Sequence, residues 1–507
     1  MLFNDVKKMS GMSFQKNKRS LAILSMAYFG LMLAGCSNNV ESEAVNQAAL
    51  LALISNAGMT GNPTTGRTLP AITDPKAQLG KKLFFTKGLG GNNDSACVTC
   101  HHPVLGAGDN LSLPIGVNAE TFDLLGPGRF HDAAKAFADN NSEFDGGPTV
   151  PRNAPTTFNL GMWDQALFHD GRIESIGKTA GKNGDDGTGI RTPDTAFGVA
   201  DSLAGSTLAS AQARFPVTSP EEMRGFANLA PGHNAADRTA IEVKLAGDWD
   251  AEFTAAFGDA TITYERIAEA MGEYERSQVF VDTPWKAFVE GDASAISESA
   301  KRGAVKFFNP IANGGANCSS CHSGDFFTDE LYHVIATPQI GRGKGGNDTG
   351  SSVLNDFGRM RESGDVADQY KFRTPTLLNV VVTGPWGHAG AYTTLEGMVK
   401  HMLNPEISIA NYDFSQLAPN IQAQDMLTNT QFHLNQLAAN RTNNVAGVHQ
   451  NVEFTENDVA DIVEFLKTLT DPCVKDRACL SPWIPNAGDT DPDGLRVNAV
   501  DNFGVFF

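Results

Sequence analysis

Cys97-Val98-Thr99-Cys100-His101 and, 221 positions further on, Cys318-Ser319-Ser320-Cys321-His322 decide the reading of this 507-residue chain. Both are C-x-x-C-H, the attachment pattern of covalently bound c-type haem. The spacing follows from the chemistry. Two thiols add to the two vinyl groups of the macrocycle, and the adjacent imidazole reaches the iron from the same turn. A zinc or thioredoxin-like site explains C-x-x-C but not a His after both copies. Two haem c groups are therefore expected, one on Cys97, Cys100 and His101, the other on Cys318, Cys321 and His322. The distance between the motifs gives each its own domain, an N-terminal haem domain over 71–290 and a C-terminal one over 291–472.

Helical patterns flank both motifs. Asp74-Pro75 reads as the N-cap and first residue of a helix through Phe85. Ile267, Ala268 and Met271 share one face of a helix over Tyr264 to Ser277. Ala295 to Phe308 leads as a helix into the second motif. Thr455 and Asp458 resemble a capping box ahead of Val459, Ile462, Val463, Leu466 and Leu469. Strand alternation is sparse. The expected fold is mainly α, with two cytochrome c-like haem domains and long loop insertions. The insertions are the Gly-, Asp- and Asn-rich segments 115–150, 173–211 and 338–370. In the last of them, Gly341-x-Gly-Lys-Gly-Gly346 lacks Walker spacing and reads as a flexible turn.

Hydrophobic residues make up 41% and charged residues 19%, which excludes full disorder, collagen and coiled coil. A net charge of −19 argues against nucleic acid and suits a basic partner such as an electron-carrier protein. Lys16, Lys18 and Arg19 precede an apolar run from Leu21 to Ala34 that is short for a membrane span, so 1–35 reads as an export signal. Leu33-Ala34-Gly35-Cys36 resembles a lipoprotein signal that makes Cys36 the lipidated first residue; an ordinary secretory signal is the alternative. Cleavage removes five basic residues and one acidic residue and leaves −23. The expected location is the periplasmic side or outer membrane of a bacterium, with the lipid as the only membrane attachment. Residues 36–70 read as a linker. Cys473 and Cys479 have no His nearby and are expected to form a disulfide pinning a 473–507 tail, a metal pair being the alternative. Asp489-x-Asp491-x-Asp493-Gly494 starts like a calcium loop but has Val500 where a twelfth-position Glu belongs, and reads as a solvated acidic turn.

A further set of stretches carries a family resemblance. They are Leu79-Gly-Lys-Lys-Leu-Phe-Phe85, Pro151-Arg-Asn-Ala-Pro-Thr156, Phe168-His-Asp-Gly-Arg172, Pro216-Val217 with Glu222-Met223, Phe372-Arg-Thr-Pro-Thr-Leu-Leu-Asn-Val380, and Thr383-Gly-Pro-Trp-Gly-His-Ala-Gly390 with Leu395-Glu396. In order and placement they resemble the bacterial di-haem cytochrome c peroxidases, a superfamily shared with MauG, from about Leu79 to Thr470. The resemblance implies that the haem at His101 is the peroxide site and that the haem at His322 accepts electrons. It implies Met402, fourteen residues after His388, as the distal ligand of the second haem, with Met398 and His401 as competitors. Glu222 is implied as the acid/base that moves a proton during O–O cleavage, and Gln212 as a second distal polar residue. Glu221 reads as a solvated helix start. A calcium ion between the domains is implied on Asn153, Thr383 and Pro385, with Asn153 as a turn cap the alternative.

Two positions depart from the family pattern. Val117 stands where many members carry a His that closes the resting site, so the first haem is expected to be open in the ferric state. His131 lies further on in an insertion. His169 stands where a Trp usually precedes Asp-Gly-Arg; Trp163 is either a substitute relay between the haems or core packing. His102 packs or meets solvent, and His388 resembles a family His near the electron-accepting haem. The implied enzyme is an oxidoreductase that reduces hydrogen peroxide to water with electrons from a small cytochrome c or cupredoxin. A MauG-like oxidation of Trp or Tyr in a partner protein is the first alternative; Val117 and His169 favour it and Met402 opposes it. A non-catalytic electron-transfer lipoprotein is the second, and it needs a sixth ligand on the first haem.

Overall fold

Seven helices frame the two C-x-x-C-H segments: α1 (Gln47–Asn56), α2 (Pro75–Phe85), α3 (Leu208–Gln212), α4 (Tyr264–Arg276), α5 (Glu298–Phe308), α6 (Leu395–Leu403) and α7 (Glu456–Lys467). They belong to a computed structural model that describes residues 45–135, 147, 148, 150–226, 233–344 and 355–507. The export signal and Cys36 lie outside the described residues. So do parts of the 115–150 and 338–370 insertions. Among the described residues, sheet is confined to two small antiparallel ladders. One is β1 (Ala166–Leu167), β2 (Ile173–Ser175) and β3 (Ile190–Arg191), with Ala166 opposite Glu174. The other is β4 (Tyr332–His333) and β5 (Phe372–Arg373), with Tyr332 opposite Arg373. The fold is mainly α.

Local sequence explains the helix starts. Asp74 is extended at ψ 141° and Pro75 takes the first helical position, where its missing N–H costs nothing. Thr455 and Asp458 form a reciprocal capping box at the start of α7. Ser297 caps α5 through Ala300 N, so the helix starts at Glu298, three residues later than the Ala295 expected from sequence.

The chain uses one design twice. Gly80 lies in α2 and Gly303 in α5, each four residues before Phe-Phe. A Cβ on Gly80 would stand 1.9 Å from the Ala270 carbonyl of α4, and one on Gly303 1.9 Å from the Asp461 carbonyl of α7. Only glycine lets each helix pair cross this closely. Phe84 then lies 6.5 Å from the His101 ring, and Phe307 lies 6.5 Å from the His322 ring, centroid to centroid. Pro155-Thr-x-x-Asn159 and Pro375-Thr-x-x-Asn379 repeat in the same way. The Thr156 hydroxyl donates to the Gly106 carbonyl, and the Thr376 hydroxyl to the Phe326 carbonyl. Asn159 and Asn379 both take left-handed φ, and the Nδ2 of each donates to the same Phe280 carbonyl.

Two expectations need correction. Part of the 36–70 linker is folded. Asn46 caps α1, and Leu50 and Ile54, one turn apart, are buried in the core that also holds α5 and α7. The Ala- and Leu-rich run there supplies an apolar face that a composition reading misses. Arg67 also pairs with Asp164 at 2.7 Å. Nor is the acidic turn fully solvated. Asp493 accepts from Trp249 Nε1 and Thr86 Oγ1, both at 3.0 Å. Asp491 is buried, and burial, with Asp493 next, pushes its carboxyl up to about 7.

A disulfide joins Cys473 and Cys479. The tail beyond it runs back along α2, where Val497 N donates to the Phe85 carbonyl. Replacing both cysteines with Ala frees a short loop in the unfolded chain. It is expected to lower stability by about 2 kcal/mol, seen as an earlier guanidinium midpoint.

Candidate functional site

Both C-x-x-C-H segments open onto one continuous cavity of about 730 Å³. Cys97, Cys100 and His101 line it, as do Cys318, Cys321 and His322. Short helical turns present these residues, Cys97–Cys100 in the first copy and Cys318–Ser320 in the second. The His101 Nδ1 lies 3.2 Å from the Ala107 carbonyl, and the His322 Nδ1 lies 3.0 Å from the Phe327 carbonyl. Burial holds both rings below the usual histidine range. Each neutral ring therefore donates from Nδ1 and keeps its Nε2 lone pair for a metal, the usual orientation of a ligating imidazole. The four thiols are unpaired, and burial pushes Cys318 up to about 12. Thiols facing a largely apolar cavity suit addition to vinyl groups better than binding of bare zinc. Among the described residues, three potential metal ligands cluster only at Cys321, Asp329 and His333. Cys321 there is an attachment thiol, and Asp329 is engaged with His333 at 2.8 Å. The residues present thus fit two covalent haems.

Glu222 and Gln212 also line the cavity. Gln212 ends α3, and Glu222 sits in the Pro220–Arg224 turn. Ser95 Oγ donates to the Glu222 carbonyl at 2.8 Å, which ties this turn to the segment entering the first motif. Glu221 points elsewhere and accepts from Ser219 Oγ. Val117 is fully buried beside Phe226, and neither Val117 nor His131 lines the cavity. His102 is buried against the Phe507 ring.

On α6, Met402 and Met398 line the cavity, whereas His401 does not. The His401 Nε2 lies 2.8 Å from the Ile335 carbonyl and its Nδ1 3.0 Å from the Tyr392 hydroxyl. Of Met398, His401 and Met402, only the two methionines meet the cavity. His388 is also committed, with Nδ1 2.7 Å from Thr337 Oγ1, Nε2 2.6 Å from Gln339 Oε1, and its ring stacked on Phe372.

Asn153, Thr383 and Pro385 all meet the cavity wall. The Asn153 Nδ2 donates to the Leu111 and Ser112 carbonyls, so its Oδ1 is the end available to an oxygen-liganded cation. Trp163 and His169 line the same cavity. Burial and Arg152 push His169 down to about 4, and its neutral Nε2 donates to the Asn153 carbonyl at 3.0 Å. Trp163 packs edge-on against Phe326, and the Arg373 guanidinium lies 3.5 Å over its ring.

Three cavity-lining groups were not singled out from sequence. Glu275 on α4 is buried, and burial pushes its carboxyl up to about 8. Arg373 was visible only inside a family stretch. Lys344 belongs to the Gly-rich segment read as a flexible turn, yet it lines the cavity.

Residues 74–294 match the family model described as di-haem cytochrome c peroxidase. The methylamine utilization protein MauG of Methylorubrum extorquens is 28% identical over 333 residues, 66% of this chain and 69% of that protein. The cytochrome c551 peroxidase of Pseudomonas aeruginosa is 25% identical over 357 residues, 69% of this chain and 75% of that protein. Two solved structures share the fold with a TM-score of 0.51. The diheme peroxidase BthA from Burkholderia thailandensis covers 87% of this chain and 93% of its own at 21% identity. A MauG-like protein associated with microbial copper homeostasis covers 82% and 97% at 19% identity.

Proposed function

Because the chain belongs to the MauG/di-haem cytochrome c peroxidase superfamily of oxidoreductases, we propose that it reduces hydrogen peroxide to water with electrons from a small cytochrome c or cupredoxin. The observation that carries this reading is that Glu222, Gln212 and Met402 all line the one cavity onto which both C-x-x-C-H segments open, with the Glu222 turn tied to the segment before Cys97. When bound, the haems supply the iron centres that take up electrons and cleave the O–O bond. His101 would hold one and His322 with Met402 the other.

The chain's own residues supply proton management. The Glu222 carboxylate would accept a proton from one peroxide oxygen and return it to the other, which then departs as water. Gln212 orients the peroxide with its amide. The balance is one peroxide, two protons and two electrons to two waters. Met402, as a ligand of the second haem, would favour its reduced state, as suits the electron-accepting end. One calcium ion on Asn153, Thr383 and Pro385 would brace the wall between the halves. We further propose that the protein is exported and tethered through lipid on Cys36. Among the described residues, no helix is long and apolar enough to cross a membrane.

Val117 makes a specific prediction. With no His at that position, the first haem of the resting ferric protein is expected to give a high-spin electron paramagnetic resonance signal before any reduction. A second low-spin bis-His signal would contradict it. The match to MauG and the presence of His169 in place of a Trp favour a second reading, in which a partner's Trp or Tyr is the final reductant. The two readings separate on whether a small donor protein drains the oxidising equivalents as fast as peroxide delivers them.

A further inference from the structure

The cavity wall carries more positive charge than its own carboxylates neutralise. Arg152 donates to Asp170 at 2.5 Å and to Asp356 at 2.7 Å. Arg172 leans on the same Asp170 at 3.3 Å. Those three groups and Arg152 form a closed set. Arg373 stands outside it. Its Nε donates to the Phe168 carbonyl, its Cζ lies over Trp163, and its buried Nη1 has no partner. Glu330 is the nearby acid, but its carboxylate accepts from the backbone N–H groups of Asp164 and Gln165. Tyr332 and Asp170 are the other groups that face Arg373.

Lys344 is the second unmatched cation. It lines the cavity within electrostatic reach of Arg172 and Arg152 and of Asp170 and Glu222, and no carboxylate forms an ion pair with it among the described residues. Burial, reinforced by Arg172, pushes Lys344 down to about 8; burial pushes Arg373 down to about 10. Arg373 is buried and Lys344 half-buried, and a cation withdrawn from water without an anion is costly, so a wall built this way calls for anions brought by the occupant. A haem brings two propionate carboxylates on one edge.

We propose that Lys344 and Arg373 are the propionate-binding cations of this cavity, Lys344 for the haem at His101 and Arg373 for the haem at His322. The assignment follows from position. Lys344 lies within electrostatic reach of Glu222, whose turn is bound to the segment before Cys97. Arg373 lies two residues before Pro375, whose backbone meets His322. A propionate on Arg373 has a further consequence. The guanidinium over Trp163 opposes loss of an electron from the indole. A carboxylate paired with it offsets that opposition, so Trp163 becomes a better relay only when the second haem is in place. The inference rests on the two-haem reading and not on peroxide as the substrate.

The test uses the haem-loaded full-length protein and needs no turnover. Lys344→Met and Arg373→Met are compared with the charge-keeping Lys344→Arg and Arg373→Lys. The ratio of reduced to oxidised haem is read for each centre at a fixed potential, together with the propionate-bending band in resonance Raman spectra. Each Met variant is expected to lower the ratio of its own haem by about tenfold and to shift that band. This is the order expected for one charge roughly 10 Å from the iron at an effective dielectric near 20. The charge-keeping variants are expected to stay within about twofold of wild type. Where a Met variant does not retain haem, the Gln variant at the same position takes its place. Unchanged ratios and bands in the charge-removing variants would overturn the proposal. So would charge-keeping variants that move them equally, since that marks a packing effect. Weaker azide binding in Lys344→Met with ratio and band unchanged would overturn it for Lys344, because the cation then serves a free anion. A protein that ignores peroxide yet shows the expected shifts sinks the peroxidase reading and leaves this one standing.

Discussion

Glu222→Gln is expected to lower peroxide turnover by about 10²- to 10⁴-fold while leaving both haem spectra unchanged, the range for loss of one positioned acid/base. Glutamine keeps the size of the side chain and most of its hydrogen bonding but cannot carry a proton from one peroxide oxygen to the other. The backbone anchor of the turn, Ser95 Oγ to the Glu222 carbonyl, does not depend on the side chain, so the fold around the first motif is preserved. Glu221→Gln is the control. Its carboxylate is engaged with Ser219 and lies outside the cavity, so turnover is expected to stay within about twofold of wild type. Near-normal turnover in Glu222→Gln would remove it from the mechanism.

Met402→Leu has the second large effect. Leucine keeps the volume and helix propensity of Met and removes only the sulfur. The second haem is expected to lose its methionine–iron charge-transfer band. Its reduced-to-oxidised ratio at fixed potential is expected to fall by about 10²-fold, or about 120 mV at 59 mV per tenfold, well inside the range set by axial ligands. Met398 lies one turn away on α6 and meets the same cavity, so Met398→Leu decides between them. A lost band in Met398→Leu and a retained one in Met402→Leu would transfer the assignment. His401 is not a rival, because both of its ring nitrogens are engaged.

Much of the site was legible because covalent haem attachment demands a fixed local spacing. The two C-x-x-C-H segments announce themselves, and the caps at Pro75 and Thr455 place the helices beside them. The internal duplication was equally written in the chain, as Gly80 and Gly303 before Phe-Phe and as Pro-Thr-x-x-Asn at 155 and 375. A motif-by-motif reading passes over it because each element alone is weak. The helix at 47–56 was missed because only Leu50 and Ile54 of its Ala- and Leu-rich run are fully buried, and the run reads as linker composition. Lys344 and Arg373 were illegible for a different reason. Their significance lies in having no carboxylate partner, and pairing is a property of the folded wall rather than of neighbours in sequence. The same holds for Asp491, whose acidic turn looks solvated until Trp249 and Thr86 are seen to close over its neighbour Asp493.

The most direct test of the account mixes haem-loaded protein with hydrogen peroxide in a stopped-flow instrument, with and without reduced cytochrome c. The expected result is rapid donor oxidation, two equivalents for each peroxide consumed. Peroxide that disappears while the donor stays reduced would contradict it and would direct the search to a protein side chain as the final reductant.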